Sequence, residues 1–174
     1  NGVGVPMDAE PRPLPLGKAE LLREGDDVVI IALGPPVYAA LTAAQELGAR
    51  GVNPCVVNAR FAKPLDTELL LSLARRCPRF LTIEEGALAG GFGSAVLELL
   101  EAHGATGVAV QRIGLPDQFI EHGPQAVMRE RYGLTPEGIV RAIEERFPEL
   151  VLKPCLVNGD KERQRPRQPL PKPS

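Results

Sequence analysis

Two adjacent carboxylates, Glu84 and Glu85, stand just ahead of a glycine cluster, Gly90-Gly91-Phe92-Gly93. Glu84 closes the apolar run Arg79–Glu84 (RFLTIE), which reads as a buried strand, and the glycines lead into a helix expected over Ser94–His103. In α/β proteins this is the edge where ligands bind, and small residues there let a phosphate reach the free N–H groups of a helix N-terminus. Two features count against a dinucleotide. Val96 replaces the third glycine of the required spacing, and no acidic residue closes the next strand near Arg112 to hold a ribose hydroxyl. A tight turn with close helix–sheet packing is the simpler reading. Neighbouring strand residues point to opposite sides, so Glu84 and Glu85 do not make one acid–base pair; capping of the loop or contact with a partner domain is the expected duty.

The remaining reactive side chains are scattered. Arg60 and Lys63, in the loop Arg60–Asp66 (RFAKPLD), could meet a phosphate, an acidic partner or a neighbouring domain. His122 lies in Leu115–Gly123 (LPDQFIEHG) beside Asp117 and Glu121, and a lone loop histidine reads as structural before catalytic. His103 ends a helix, where a cation offsets the dipole. Gly25-Asp26 with Asn53 faintly echoes a magnesium-binding GDG…N pattern. The second glycine is missing, however, and Gly25-Asp26-Asp27 reads as a hairpin turn opening a strand. Cys55, Cys77 and Cys155 are odd in number and far apart, so they suggest neither a disulfide framework nor a zinc site. No GxSxG elbow, P-loop or HExxH is present. No complete active site, and no metal or cofactor site, can be built from these residues.

The elements that position them alternate regularly. Strands are expected at Lys18–Arg23, Asp27–Leu33, Asn53–Asn58, Arg79–Glu84 and Gly107–Arg112. Helices are expected at Val37–Leu47, Thr67–Arg76, Ser94–His103, Pro124–Arg131 and Pro136–Phe147. Asp66 and Thr135 are N-cap candidates, and Gly48 with Gly51 is the stop of the first helix. Continuous β-branched runs such as Asp27–Leu33 (DVVIIAL) mark strands covered on both faces. The pattern predicts an α/β fold: three layers, doubly wound, with a mostly parallel sheet of about five strands. Lys18–Arg23 joins the next strand by a short turn and is therefore expected as an antiparallel edge strand.

The chain has 174 residues, 44% of them hydrophobic and 24% charged, with a formal net charge of −2. That suits one soluble domain and suggests neither nucleic acid nor an anionic membrane as partner. No apolar run approaches the roughly 20 residues of a membrane span, and the start lacks a signal peptide's regions. A reduced, cytoplasmic setting is the default expectation. Residues 1–16 hold Pro6, Pro11, Pro13 and Pro15 and read as a linker from a missing upstream domain; 17–150 form the domain. Residues 151–174, rich in Pro and Arg, read as a disordered tail.

Several segments resemble the last domain of the 1-deoxy-D-xylulose-5-phosphate synthase family, within the transketolase-like superfamily. They are Pro15-Leu16-Gly17-Lys18-Ala19-Glu20, Asn58–Asp66 (NARFAKPLD), Thr82-Ile83-Glu84-Glu85-Gly86, Gly90-Gly91-Phe92-Gly93-Ser94 and, the most specific, Ile113–Gly123 (IGLPDQFIEHG). The resemblance runs in order from about Gly2 to Phe147. It implies a thiamine-diphosphate- and Mg²⁺-dependent condensation of pyruvate with glyceraldehyde 3-phosphate by a cytoplasmic homodimer. In that family the cofactor lies between the first two domains, whose motifs do not occur here, so this domain is expected to bind no cofactor and to be inactive alone. Its implied roles are to pack against the upstream domains, to support the dimer with a second copy, and to border the active-site entrance. Arg60, Lys63, Glu84, Glu85 and His122 are the candidate contacts. The E1 β subunits of 2-oxoacid dehydrogenases carry comparable segments and form one alternative; a stand-alone ligand-binding or regulatory module is the other.

Overall fold

The structure, a computed structural model, describes residues 13–151. Most of the expected linker, Cys155 and all but the first residue of the expected tail lie outside the described residues. The described residues form five strands and five helices, alternating except that two strands open the series and two helices close it: β1 Glu20–Arg23, β2 Val28–Ala32, α1 Pro36–Ala49, β3 Pro54–Asn58 and α2 Thr67–Arg76. Then follow β4 Arg79–Ala87, α3 Phe92–Ala102, β5 Ala109–Leu115, α4 Gln125–Arg131 and α5 Pro136–Arg146, with a 3₁₀ turn at Pro148–Leu150.

One sheet contains all five strands in the order β1-β3-β2-β4-β5. Pairings β2–β3, β2–β4 and β4–β5 are parallel, and β1–β3 is antiparallel. All five residues of β2 are fully buried, as a central strand with both faces covered requires. Alternate residues serve opposite layers. Val28, Ile30 and Ala32 pack with Val56, Leu81 and Ile83 under α1 and α5. Val29 and Ile31 join Cys55, Val57 and Phe80 under α2 and α3. The architecture is the expected three-layer, mostly parallel α/β fold.

β1 is the antiparallel edge strand, but the short connection to β2 is not a hairpin. β1 pairs with β3, which lies between them, so residues 24–27 pass across the start of β3. The passage is tied down there. The Asp26 and Asp27 amides both donate to the Asn53 carbonyl at 3.1 Å. The Asn53 amide donates to the Asp27 carboxylate at 2.9 Å, and the Asn53 side chain donates to Asp26 at 3.0 Å. Asp26 and Asn53 therefore do meet, yet at the amino edge of the parallel strands, as a turn lock. Gly25 is obligatory at this crossing: a Cβ would lie 2.3 Å from the Pro54 carbonyl carbon and 2.5 Å from the Asn53 oxygen.

Helix ends follow local chemistry in two cases. The Asp66 carboxylate accepts from the Leu69 amide at 3.2 Å and also from Ala19 at 3.1 Å, fastening β1 to the start of α2. Thr135 accepts from Gly138 at 3.3 Å, with Pro136 at the first helical position. Gly48, by contrast, lies inside α1; the stop is supplied by Gly51 at φ +84°, with the Val52 amide returning to the Leu47 carbonyl.

Two outcomes follow from this packing. Gly25→Ala forces Cβ into backbone that no side-chain rotation can clear, and chemical denaturation is expected to show a loss of roughly 1–3 kcal/mol. Cys55, wholly buried, has its thiol pushed up to about 11 chiefly by burial, and Cys77 is also raised for that reason. Neither should react with a disulfide reagent at neutral pH in the folded chain, and both should react in denaturant, as read by peptide mass.

Candidate functional site

Connections leave the two central strands on opposite faces: β2 runs into α1 on one side and β4 into α3 on the other. The crevice between the carboxyl ends of β2 and β4 is thus the point where an open α/β sheet ordinarily receives a ligand. It is framed by Leu33–Pro35 and by the segment from Glu84 to Gly93, and the Leu33 amide still reaches the Ile83 carbonyl at 3.0 Å.

The protein's own carboxylate occupies the anion position. Glu84 is 4% exposed, and its two oxygens accept from the backbone amides of Phe92 at 2.7 Å and Gly93 at 2.8 Å. These are the first amides of α3, so the helix dipole and its unsatisfied donors are answered from the end of β4. The local path is shaped to allow it. Between the pairs Ile83–Ile113 and Ala87–Leu115, three residues of β4 oppose the single Gly114 of β5, a bulge that gathers the chain around the carboxylate. A Cβ on Gly91 would sit 2.0 Å from the Ala87 carbonyl and 2.5 Å from Glu84 Oε2. One on Gly114 would press on the Glu84 side chain at 3.1 Å. Gly91 and Gly114 are therefore fitted to a carboxylate from within, and the Phe92 and Gly93 amides that a phosphate would need are already taken.

Arg112 completes the loop. It donates to the Leu88 carbonyl and to Ser94 Oγ, both at 2.9 Å, and Ser94 donates to Leu88 at 2.8 Å. Thr82 lies beneath, buried, with its hydroxyl lacking a hydrogen-bond partner; a Cβ on Gly93 would lie 2.6 Å from that oxygen. Helix α3 accordingly begins at Phe92, not Ser94, because its cap comes from eight residues upstream rather than from a neighbouring Ser or Asp.

Glu85 turns the other way and pairs with Arg129 of α4 at 2.6 Å. The two, with His122, border a groove of about 470 Å³ that is also lined by Leu115, Ile120 and Met128. Arg60, at φ +57°, turns back to Glu20 of β1 at 2.8 Å and does not face this groove. Lys63 is exposed, next to a cis Lys63–Pro64 bond, and His103 sits 2.8 Å from the Leu99 carbonyl at the end of α3. The five candidates thus divide: Glu85 and His122 share the groove, Glu84 is internal, and Arg60 and Lys63 stand on the loop after β3. Arg112 and Arg129 were missed by sequence reasoning, since nothing in their spacing marks their carbonyl and carboxylate partners. Among the described residues, no three His, Cys, Asp or Glu side chains come together in a way that would hold a metal ion, and no helix is long and apolar enough to cross a membrane.

Glu84→Gln keeps the shape but leaves one oxygen, so one buried amide loses its acceptor and faces an NH₂ group. The expected loss is roughly 2–3 kcal/mol in thermal or urea unfolding. Glu85→Gln, acting on a pair with side chains 31% and 34% exposed, should cost less than about 1 kcal/mol. Equal losses from both would contradict the capping role of Glu84.

Comparison with known proteins places the chain in a family. The family described as transketolase, C-terminal domain, matches residues 17–139. A 1-deoxy-D-xylulose-5-phosphate synthase of Geobacter sulfurreducens is 53% identical over 143 residues, covering 82% of this chain and 22% of the relative. That of Thermomicrobium roseum is 54% identical over 139 residues, covering 80% of this chain and 22% of the relative. A solved structure described as a split gene transketolase, inactive beta4 tetramer, superposes with a TM-score of 0.74 at 39% identity, covering 83% of this chain and 47% of that one. The chain thus spans between a fifth and a quarter of the length of the curated relatives it matches. It belongs to the transketolase C-terminal domain family and is homologous to the C-terminal part of 1-deoxy-D-xylulose-5-phosphate synthases.

Proposed function

We propose that this chain is the C-terminal domain of an enzyme that condenses pyruvate with glyceraldehyde 3-phosphate, releasing carbon dioxide to give 1-deoxy-D-xylulose 5-phosphate. That product feeds isoprenoid, thiamine and pyridoxal synthesis. The observation that carries this reading is identity above 50% to synthases of that name, across four fifths of the chain. In this proposal residues 1–16 connect to upstream domains, 17–150 form the folded unit and 151–174 extend from it. The upstream domains and a second copy are its partners, in a cytoplasmic homodimer.

Thiamine diphosphate and Mg²⁺ belong, on this reading, to the rest of the enzyme. The residues described here do not fit the diphosphate: the helix N-terminus best placed to take it is filled by Glu84. The groups left at the carboxyl edge suit contact rather than chemistry. Glu85 is paired with Arg129, and His122 is an exposed residue at a groove rim. The role proposed for the domain is therefore positional, with Glu85 and His122 bordering the active-site entrance and Arg60 and Lys63 near a domain contact. The same filled crevice counts against a stand-alone ligand-binding module.

A second arrangement is favoured by one comparison. The solved relative is described as a split gene transketolase, inactive beta4 tetramer, which supports a reading in which the upstream part is a separate polypeptide. Both arrangements predict that the 174-residue chain alone has no turnover. With pyruvate, glyceraldehyde 3-phosphate, thiamine diphosphate and Mg²⁺, carbon dioxide release should appear only when the native upstream sequence is present, in fusion or as a co-purifying chain. Turnover by the isolated chain, or none by the assembled enzyme, would reject the reading.

A further inference from the structure

We propose that the Phe119 loop, the outer face of α4 and Tyr38 form one docking surface, and that its occupant is the polypeptide preceding this domain. The inference rests on the reading of the chain as a C-terminal domain. Phe119 is 93% exposed, extreme for an aromatic side chain in an ordered loop. Helix α4 contains no buried residue at all, and Val127 on it is 55% exposed. A seven-residue helix with no buried face has little to hold it in water, because short helices depend on tertiary packing. The Glu85–Arg129 pair anchors its inner side, and the outer side lacks a cover.

Two grooves flank this helix and share Arg129 and Leu134. The first, about 470 Å³, is lined by Phe119 and Ile120; the second, about 460 Å³, lies against Pro35, Tyr38 and Ala39. Together they make a continuous, mainly apolar strip along the carboxyl edge of the sheet. Isolated exposed apolar residues need no explanation, but a contiguous strip of this kind marks an interaction site.

The direction from which the chain enters selects the occupant. Lys18 is bonded back to Pro15, Ala19 to Asp66, and Gly17 lies against Pro64, which places residues 13–19 at the same carboxyl edge. Leu14 and Leu16, 55% and 76% exposed, stand there too. Of the seven large apolar side chains exposed in the described residues, five (Leu14, Leu16, Tyr38, Phe119 and Val127) lie on this edge; Leu22 and Leu97 lie elsewhere. The relatives carry most of their length outside the matched region. Upstream sequence joined at residue 13 thus emerges on the uncovered edge, and an apolar ridge on it is the complement that the strip requires.

The test compares hydrogen exchange in the 174-residue chain with that in the full-length polypeptide, and repeats it for Phe119→Asp and for Leu97→Asp as an off-patch control. Phe119 is so exposed that its substitution should leave the melting temperature of the isolated chain unchanged, which checks folding. The expected result is exchange over 115–131 slowed at least tenfold in the full-length protein, abolished by F119D and retained in L97D. Unchanged exchange over 115–131, or slowing that F119D does not affect, would overturn the proposal. So would concentration-dependent slowing in the isolated chain, which would make a second copy the occupant. A full-length protein that shows the slowing without condensation activity keeps the docking surface and rejects the enzyme assignment; activity without the slowing does the reverse.

Discussion

The carboxylate of Glu84, bound by the first two free amides of α3, is the interaction around which the carboxyl edge is arranged. A buried negative charge is costly unless it is fully hydrogen-bonded. Here two amides and a helix dipole meet it, each bond of the charge-assisted kind worth roughly 1.5–3 kcal/mol. Bringing the carboxylate to the helix sets strict local conditions. The strand must bulge, the facing residue of β5 must be glycine, and the turn must pass so close to Ala87 that Gly91 has no room for a side chain. Arg112 then holds the outside of the same loop through Leu88 and Ser94. A set of residues that resembles a ligand-binding motif is, in this fold, the packing of one salt-free anion site.

Filling the crevice from within changes what the edge can do. An open helix N-terminus at a switch point of the sheet attracts phosphate or carboxylate ligands; a closed one leaves a stable, chemically quiet platform. Glu84 and Glu85, adjacent in sequence, illustrate the division. The first faces the α3 layer and stabilises the domain, while the second reaches α4 and holds it at the rim of an apolar groove. Internal stability and outward contact are thereby assigned to opposite sides of one strand end.

Much of the architecture was legible from periodicity. The β-branched run at Val28–Ala32 announced a central strand, and α2 has the bounds its amphipathic pattern and Asp66 cap imply. Where local signals misled, a distant group had intervened. Gly25-Asp26-Asp27 has the composition of a hairpin turn, yet the strand that β1 pairs with is β3, whose start lies beneath that turn. Gly48 has the look of a helix stop, but the αL conformation falls at Gly51. Ser94 is a plausible helix start, but the cap comes from Glu84, and α3 gains its first residues in consequence.

Sequence alone determined the alternation of elements and the parallel three-layer class, because both reside in local spacing of apolar and turn-forming residues. The resemblance to a known domain came from particular segments such as Ile113–Gly123. Tertiary structure alone decided which strands are neighbours, where the two glutamates go, and which apolar residues stay uncovered. Those outcomes depend on groups far apart in the chain, such as Glu85 with Arg129 or Tyr38 with α4. Hydrogen bonding and burial act between positions in space, and a linear pattern carries no record of the partner until the chain has closed around it.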